Sequence, residues 1–326
     1  MTVAAAPAIP DAPRTVRPER TRADKVYRMV ATAGGLMTLV VLFMIGLFLF
    51  LRSASTFRQY GLSFFTTTVW NPAGGQAGVA ALLYGTVEIA VIALVLAVPI
   101  ALLAALFLTE YASPRARGPL TTVVDLLAAI PSLIYGIWGF FVLQPHVMNL
   151  SEWLTSHFGF IPIFSTTGPY FGLSPFLAGT LVGLMLLPTA TSVMREVFAQ
   201  TPPGEKEAAL ALGGSRWRMI KTVVIPFGRG GIVGGSMLAL GRAMGESISV
   251  ALVFGSSFAI SIHMLQTGGT TIGANIVNRF GDASPADGSL QALLASGLVL
   301  FIVTLIVNVL ASLIVRRSRS GQGVEI

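Results

Sequence analysis

The sequence predicts an all-α membrane protein of six transmembrane helices, on three observations. Hydrophobic residues make up 54% of the chain and charged residues only 11%, with a mean hydropathy of +0.77. A water-soluble domain of that composition has too few polar side chains to cover its surface. The apolar residues gather into six runs, each close to or above the roughly 20 helical residues that cross about 30 Å of hydrocarbon. The basic residues fall in alternate connections between those runs, the asymmetry of the positive-inside rule.

Residues 1–28 are rich in Ala, Pro and Arg without apolar periodicity and read as a disordered cytoplasmic tail. The first span covers residues 29–51. That run is longer than a signal-peptide core and no small-x-small cleavage site follows it before polar sequence, so it is expected to be retained. The remaining runs cover 79–108, 120–143, 176–194, 227–254 and 290–315; the second, fifth and sixth exceed the minimum and are expected to tilt or to extend past the membrane. Residues 316–326 form a short C-terminal tail.

Arg14, Arg17, Arg20, Arg22, Lys25 and Arg28 precede the first span, Arg115 and Arg117 follow the second, and Arg195, Lys206, Arg216, Arg218, Lys221 and Arg229 cluster after the fourth. Arg316, Arg317 and Arg319 close the series, whereas the alternate connections hold Arg52, Arg58 and Arg279. Both termini are therefore expected in the cytoplasm of a bacterial inner membrane. This placement accounts for the net charge of +7 without nucleic acid, because basic residues beside a span meet anionic headgroups. The chain has no cysteine, which excludes disulfides and thiolate chemistry. His146, His157 and His263 are placed in polar connections without metal-site spacing, so no metal is expected. The outward connections, 144–172 and 255–288, are long and rich in Gly, Ser and Thr; they suit either an extracytoplasmic partner or plain loops.

Residues 195–226 form the longest inward connection. Thr201-Pro202-Pro203 is a helix-start signal, Glu205 and Glu207 suit a positive first turn, and Gly213-Gly214 is a stop. The pattern predicts a short helix across the membrane face, held between hinges and able to pass a displacement to the spans it joins.

Glu207-Ala208-Ala209, then Gly213, then Val223-Val224-Ile225-Pro226 resembles the EAA loop of ABC importer permeases, E-A-A-x3-G-x9-I-x-L-P, with Val and Ile as its only departures. The resemblance implies a type I importer permease (MetI-like) fold over 79–315. It also implies docking of a separate ATPase at Glu207, Ala208, Ala209 and Gly213. No P-loop and no Gly-Lys dipeptide occurs, so ATP and Mg belong to that partner, and this chain is read as a transport subunit without catalytic residues.

Leu127-Ala-Ala-Ile-Pro-Ser-Leu-Ile-Tyr-Gly-Ile-Trp-Gly139 and Leu240-Gly-Arg-Ala-Met-Gly-Glu-Ser-Ile-Ser-Val-Ala-Leu252 resemble the Pst phosphate permeases, in the PstC rather than the PstA form. That resemblance implies a PstA-type second permease, a PstB-type ATPase dimer and a PstS-type phosphate-binding protein.

Apart from Arg229 at the start of the fifth run, four charged residues lie inside the apolar runs: Glu88, Asp125, Arg242 and Glu246. Each costs about 2.5–3.5 kcal/mol at a helix centre on insertion scales. Glu88 and Asp125 lie near span ends, where they can reach headgroups. Arg242 and Glu246, four apart, are expected on one face of span five near the bilayer midplane, either as a substrate contact or as a packing ion pair. Pro99, Pro131 and Pro188 are expected to kink their helices. Gly231-x-x-x-Gly235 and Gly241-x-x-x-Gly245 place small residues on one face of span five. The main rival function is an ion-coupled carrier using Arg242, Glu246 and Glu88, against which the EAA loop speaks. An intramembrane enzyme finds no partnered nucleophile.

Overall fold

The computed structural model describes residues 22–168 and 171–319, most of them helical. In chain order the helices are α1 Arg22–Tyr60, α2 Ser63–Thr66, α3 Ala80–Leu106, α4 Pro114–Ala128, α5 Ser132–Trp138, α6 Gln144–Phe158 and α7 Pro175–Ala199. Then come α8 Pro203–Ala211, α9 Arg216–Met219, α10 Ile225–Phe227, α11 Arg229–Gly245, α12 Ile248–Val253, α13 Ile272–Arg279 and α14 Ser289–Arg319. Wider π-helical turns at Phe107–Tyr111, Gly139–Leu143 and Ile220–Val224 extend α3, join α5 to α6 and join α9 to α10. Two short antiparallel strands, β1 Trp70–Asn71 and β2 Gln76–Ala77, pair Trp70 with Ala77 and Asn71 with Gln76.

Among the described residues, α1, α3 with its π-turn, α7 and α14 are each long and apolar enough to cross a bilayer, and two bent helix pairs raise the number of spans to as many as six. One pair is α4 with the helical stretch 132–158, bent by 90°; the other is 216–227 with α11, bent by 66°. The third and fifth apolar runs are therefore broken rather than straight. Pro131, at φ −58° and ψ 140°, caps α5 and breaks the third run, because proline lacks the N–H and crowds the preceding turn. Pro99 and Pro188 lie inside continuous helices.

Three sequence readings need correction. Helix α1 starts at Arg22, so residues 22–28 of the expected disordered tail are helical; Arg, Ala and Lys are good helix formers and Asp24 suits the first turn. Residues 1–21, with Arg14, Arg17 and Arg20, lie outside the described residues, as do 320–326; α14 continues to Arg319. The connection 144–172 begins with α6, which carries His146 and His157 and buries Val147 and Ser151, four apart, on one face.

The chain divides into residues 1–48 and 49–326. In the first unit the described helix leaves its apolar side chains exposed, Phe43 at 68%. A fully hydrogen-bonded helix clad in apolar side chains is the form that hydrocarbon requires.

In the second unit the core lies between α3 and α7. Ala93, Ala97, Ala101 and Ala105 form a fully buried stripe along α3, spaced by four so that they share a face. Gly183 of α7 sits so close that an added Cβ would stand 3.2 Å from the Ala93 carbonyl oxygen. Small residues at such a seam let backbones approach and supply dispersion contacts where lipid offers no hydrophobic drive. The outer faces carry exposed Leu103, Leu126 and Phe141. Helix starts are fixed by Ser113, Ser174, Ser215 and Thr271, whose hydroxyls accept from the N–H three residues on in α4, α7, α9 and α13.

The small residues of α11 divide in use. Gly231 faces Val197 and Gly235 faces Met194, both on α7, while Gly241 faces Asn308 of α14; Gly245 has nothing within 4 Å. Close packing thus occupies the first pair and half of the second.

Candidate functional site

Arg242 stands in the last turn of α11. Its Nη1 donates to Thr189 Oγ1 of α7 at 3.0 Å, one residue beyond Pro188. Nearby in the chain's third apolar run, the Tyr135 hydroxyl of α5 donates to the Leu127 carbonyl at 3.1 Å and so spans the break between α4 and α5. Tyr135, Ile130, Ile134, Trp138, Leu184 and Pro188 line an apolar cleft of about 460 Å³. Arg242 is half-buried and bonds the residue that follows Pro188, itself part of that lining, with hydrogen-bonding capacity to spare, since Arg has five donors. Its field is screened less there than in water.

Glu246 does not share a helix face with Arg242. Helix α11 ends at Gly245, Glu246 is extended at φ −69° and ψ 125°, and α12 starts only at Ile248. Gly245 is a poor helix former. The segment past it lies against α13, where a Cβ on Gly273 would meet the Glu246 carbonyl oxygen at 3.1 Å. Arg242 bonds Thr189 rather than Glu246, so the structure does not form the alternative packing pair between Arg242 and Glu246.

The other two intramembrane charges have separate surroundings. Asp125 of α4 accepts from Ser192 Oγ at 2.9 Å and lies 4.0 Å from Arg195 Nη2, both on α7. Glu88 of α3 borders a polar cavity of about 140 Å³ with Tyr84, Ser257, His263 and Gln266. Tyr84 donates to the Ser261 carbonyl at 2.7 Å, and His263 Nδ1 lies 2.9 Å from the Pro162 carbonyl, so two loops are tied over that cavity. No group of three or more His, Asp or Glu gathers as metal ligands among the described residues.

A second arrangement is built on α8. No residue of this helix is fully buried. Glu207 and Ala208 are exposed, Ala209 is half-buried against the core, and Leu210, Leu212 and Trp217 stand 44%, 89% and 57% exposed. The helix starts after Pro202 without a side-chain cap, so Thr201 marks the start without capping it. Its end is a Schellman turn: Gly213, at φ +81°, donates to the Leu210 carbonyl, and Gly214 to the Ala209 carbonyl. Only glycine adopts that φ without strain. The result is a short rigid rod presenting carboxylate and apolar side chains together.

A family model described as "Binding-protein-dependent transport system inner membrane component" matches residues 97–320. The phosphate transport system permease protein PstC of Xylella fastidiosa (strain Temecula1) is 40% identical over 305 residues, 93% of each chain. The chain belongs to the PstC family of binding-protein-dependent transport permeases. PstC 2 of Mycobacterium tuberculosis is 37% identical to this permease over 91% of the present chain and 92% of its own. A probable PstC of Methanocaldococcus jannaschii is 36% identical over 89% and 93%.

The permease also resembles the crystal structure of a bacterial alginate ABC transporter in complex with alginate pentasaccharide-bound periplasmic protein. The TM-score is 0.59 with 18% identity over 92% of this chain and 98% of that one. A crystal structure of a bacterial ABC transporter involved in the import of the acidic polysaccharide alginate gives 0.58 at 19% identity, over 90% and 98%. The importer-permease fold expected from the EAA loop is thus shown, and the permease is a multi-pass inner-membrane transport component rather than an enzyme.

Sequence reasoning did not find Thr189 as the partner of Arg242, nor the tie between Lys206 and Glu110. Thr189 follows Pro188 in an apolar run and carries no spacing signal. Glu110 and Lys206 are 96 residues apart, and no local periodicity joins them.

Proposed function

We propose that this permease forms half of the translocation pathway of an ATP-driven inorganic phosphate importer, and that it couples to a separate ATPase through α8. The observation that carries the reading is its likeness to PstC phosphate permeases across nine-tenths of both chains. In this reading Arg22, Lys25, Arg28, Arg115 and Arg117 lie on the cytoplasmic side with α8, and both termini are cytoplasmic. Arg242 follows Arg229 along one helix at about 1.5 Å per residue, roughly 20 Å deeper, near the bilayer midplane. There its guanidinium fork offers paired donors to phosphate oxygens. Glu246, just past the helix end, holds or neutralises Arg242 between transport cycles, when no anion is bound. Glu207, Ala208, Ala209 and Gly213 shape and charge the docking rod, and ATP with Mg is bound by the partner.

The assembly is this permease, a PstA-type permease, two PstB-type ATPase subunits and a PstS-type phosphate-binding protein. Mild purification from native membranes, with mass spectrometry of the co-purifying chains, tests it. The expected result is one copy of each permease with two copies of the ATPase. Recovery of this chain as a lone oligomer, without an ATPase, contradicts the reading.

A further inference from the structure

Helix α8 follows α7 across Thr201-Pro202 and meets α9 across the Schellman turn at Gly213-Gly214. Apart from these two covalent joints, a short ion pair fastens α8 to the membrane helices. Lys206 Nζ of α8 lies 2.6 Å from Glu110 Oε1, with the Glu110 side chain only 6% exposed and that of Lys206 21%.

Glu110 belongs to the π-helical turn Phe107–Tyr111 that continues α3, and α3 carries the buried alanine stripe at the centre of the fold. Two further contacts converge on this turn. Arg216 of α9 lies over the Tyr111 ring at 5.5 Å, and Arg117 of α4 donates to the Thr109 carbonyl at 2.5 Å. The turn is therefore where α8, α9 and α4 are all fastened to α3. Turns of this wider kind are often found at functional positions within helices.

Surface ion pairs hold little. This one is short, charge-assisted and largely enclosed, so removing one partner strands a buried charge. The pair therefore holds α8 to the π-helical turn at this point.

We infer that the Glu110–Lys206 pair is the rigid link that carries motion of α8 directly into the end of α3, making both positioning residues for coupling between ATP hydrolysis and transport. The inference rests on the reading of α8 as the ATPase dock.

The test uses the complete importer reconstituted with its ATPase and binding protein. Glu110→Gln and Lys206→Met are each expected to keep the ATPase bound and hydrolysing, while phosphate moved per ATP falls roughly fivefold or more, the scale of a typical coupling free energy. The exchanged pair, Glu110→Lys with Lys206→Glu, should recover most of that ratio. A mere staple predicts otherwise: hydrolysis and uptake would fall in proportion, leaving the ratio unchanged, and that outcome overturns the inference.

Because the chain has no cysteine, Glu205→Cys on α8 and Arg115→Cys on α4 beside the α3 end give a unique pair of spin labels in this subunit, whatever the cargo, when the partner subunits are cysteine-free. With the ion pair intact their separation should stay constant between nucleotide states, and with Glu110→Gln it should vary. Equal variation in both also overturns the link. Absence of ATP-driven phosphate uptake by the wild-type complex instead removes the functional reading, and the label separations still decide the link.

Discussion

Arg242→Gln is expected to abolish measurable phosphate uptake while the importer still assembles at the membrane. Arg242 is half-buried and held by Thr189 at 3.0 Å, so an anion reaching it exchanges water for a fixed cation with donors to spare. Loss of two charged hydrogen bonds, each worth about 1.5–3 kcal/mol, corresponds to a fall of roughly a hundredfold or more in uptake. Arg242→Lys keeps the charge without the planar fork and should retain only part of the activity. Glu246→Gln should impair uptake less, because the extended backbone past Gly245 removes that residue from the face of Arg242. The exchanged variant, Arg242→Glu with Glu246→Arg, should remain inactive. Full recovery of uptake in that variant would show that the two residues serve only as an ion pair.

Gly213→Pro should uncouple the importer as severely, by a different route. Gly213 sits at φ +81° and donates its N–H to the Leu210 carbonyl. Proline is fixed near φ −65° and has no N–H, so both features are lost together, at about 3 kcal/mol or more by analogy with helix interiors. The end of α8 then moves, and Leu210 and Leu212 with it. The permease should still insert, since no span is touched, but the ATPase should dissociate or hydrolyse without uptake. Glu207→Lys, which inverts an exposed charge on the same rod, should act likewise without disturbing the helix. Co-purification of the ATPase together with uptake decides both; normal values for a variant remove its residue from coupling.

The sequence made the membrane class legible because six apolar runs and the sorting of Arg and Lys are properties of composition over 20-residue windows. It made α8 legible because Pro203 and Gly213 act locally on the backbone. Breaks in the spans were less legible. Pro99, Pro131 and Pro188 look alike in an apolar run, yet only Pro131 starts a new helix, whereas Pro99 is held beside the buried stripe of Ala97 and Ala101. The helical period placed Arg242 and Glu246 on one face, but Gly245 ends the helix between them and Glu246 is extended, with its carbonyl close against Gly273. Thr189, Asp125 with Ser192, and Glu110 with Lys206 meet only through packing of α4, α7, α8 and α11 around α3, for which a single chain carries no local signal.

The central claim is ATP-driven phosphate movement through a pathway this permease helps to form. Its most direct test is accumulation of radiolabelled phosphate in proteoliposomes that contain the complete importer, with the binding protein outside and ATP within. Accumulation is expected only with ATP, with the ATPase present and with Arg242 intact, and this permease alone should move nothing. Phosphate uptake by the isolated permease without ATP, or a complete importer that hydrolyses ATP and carries no phosphate, would contradict the claim.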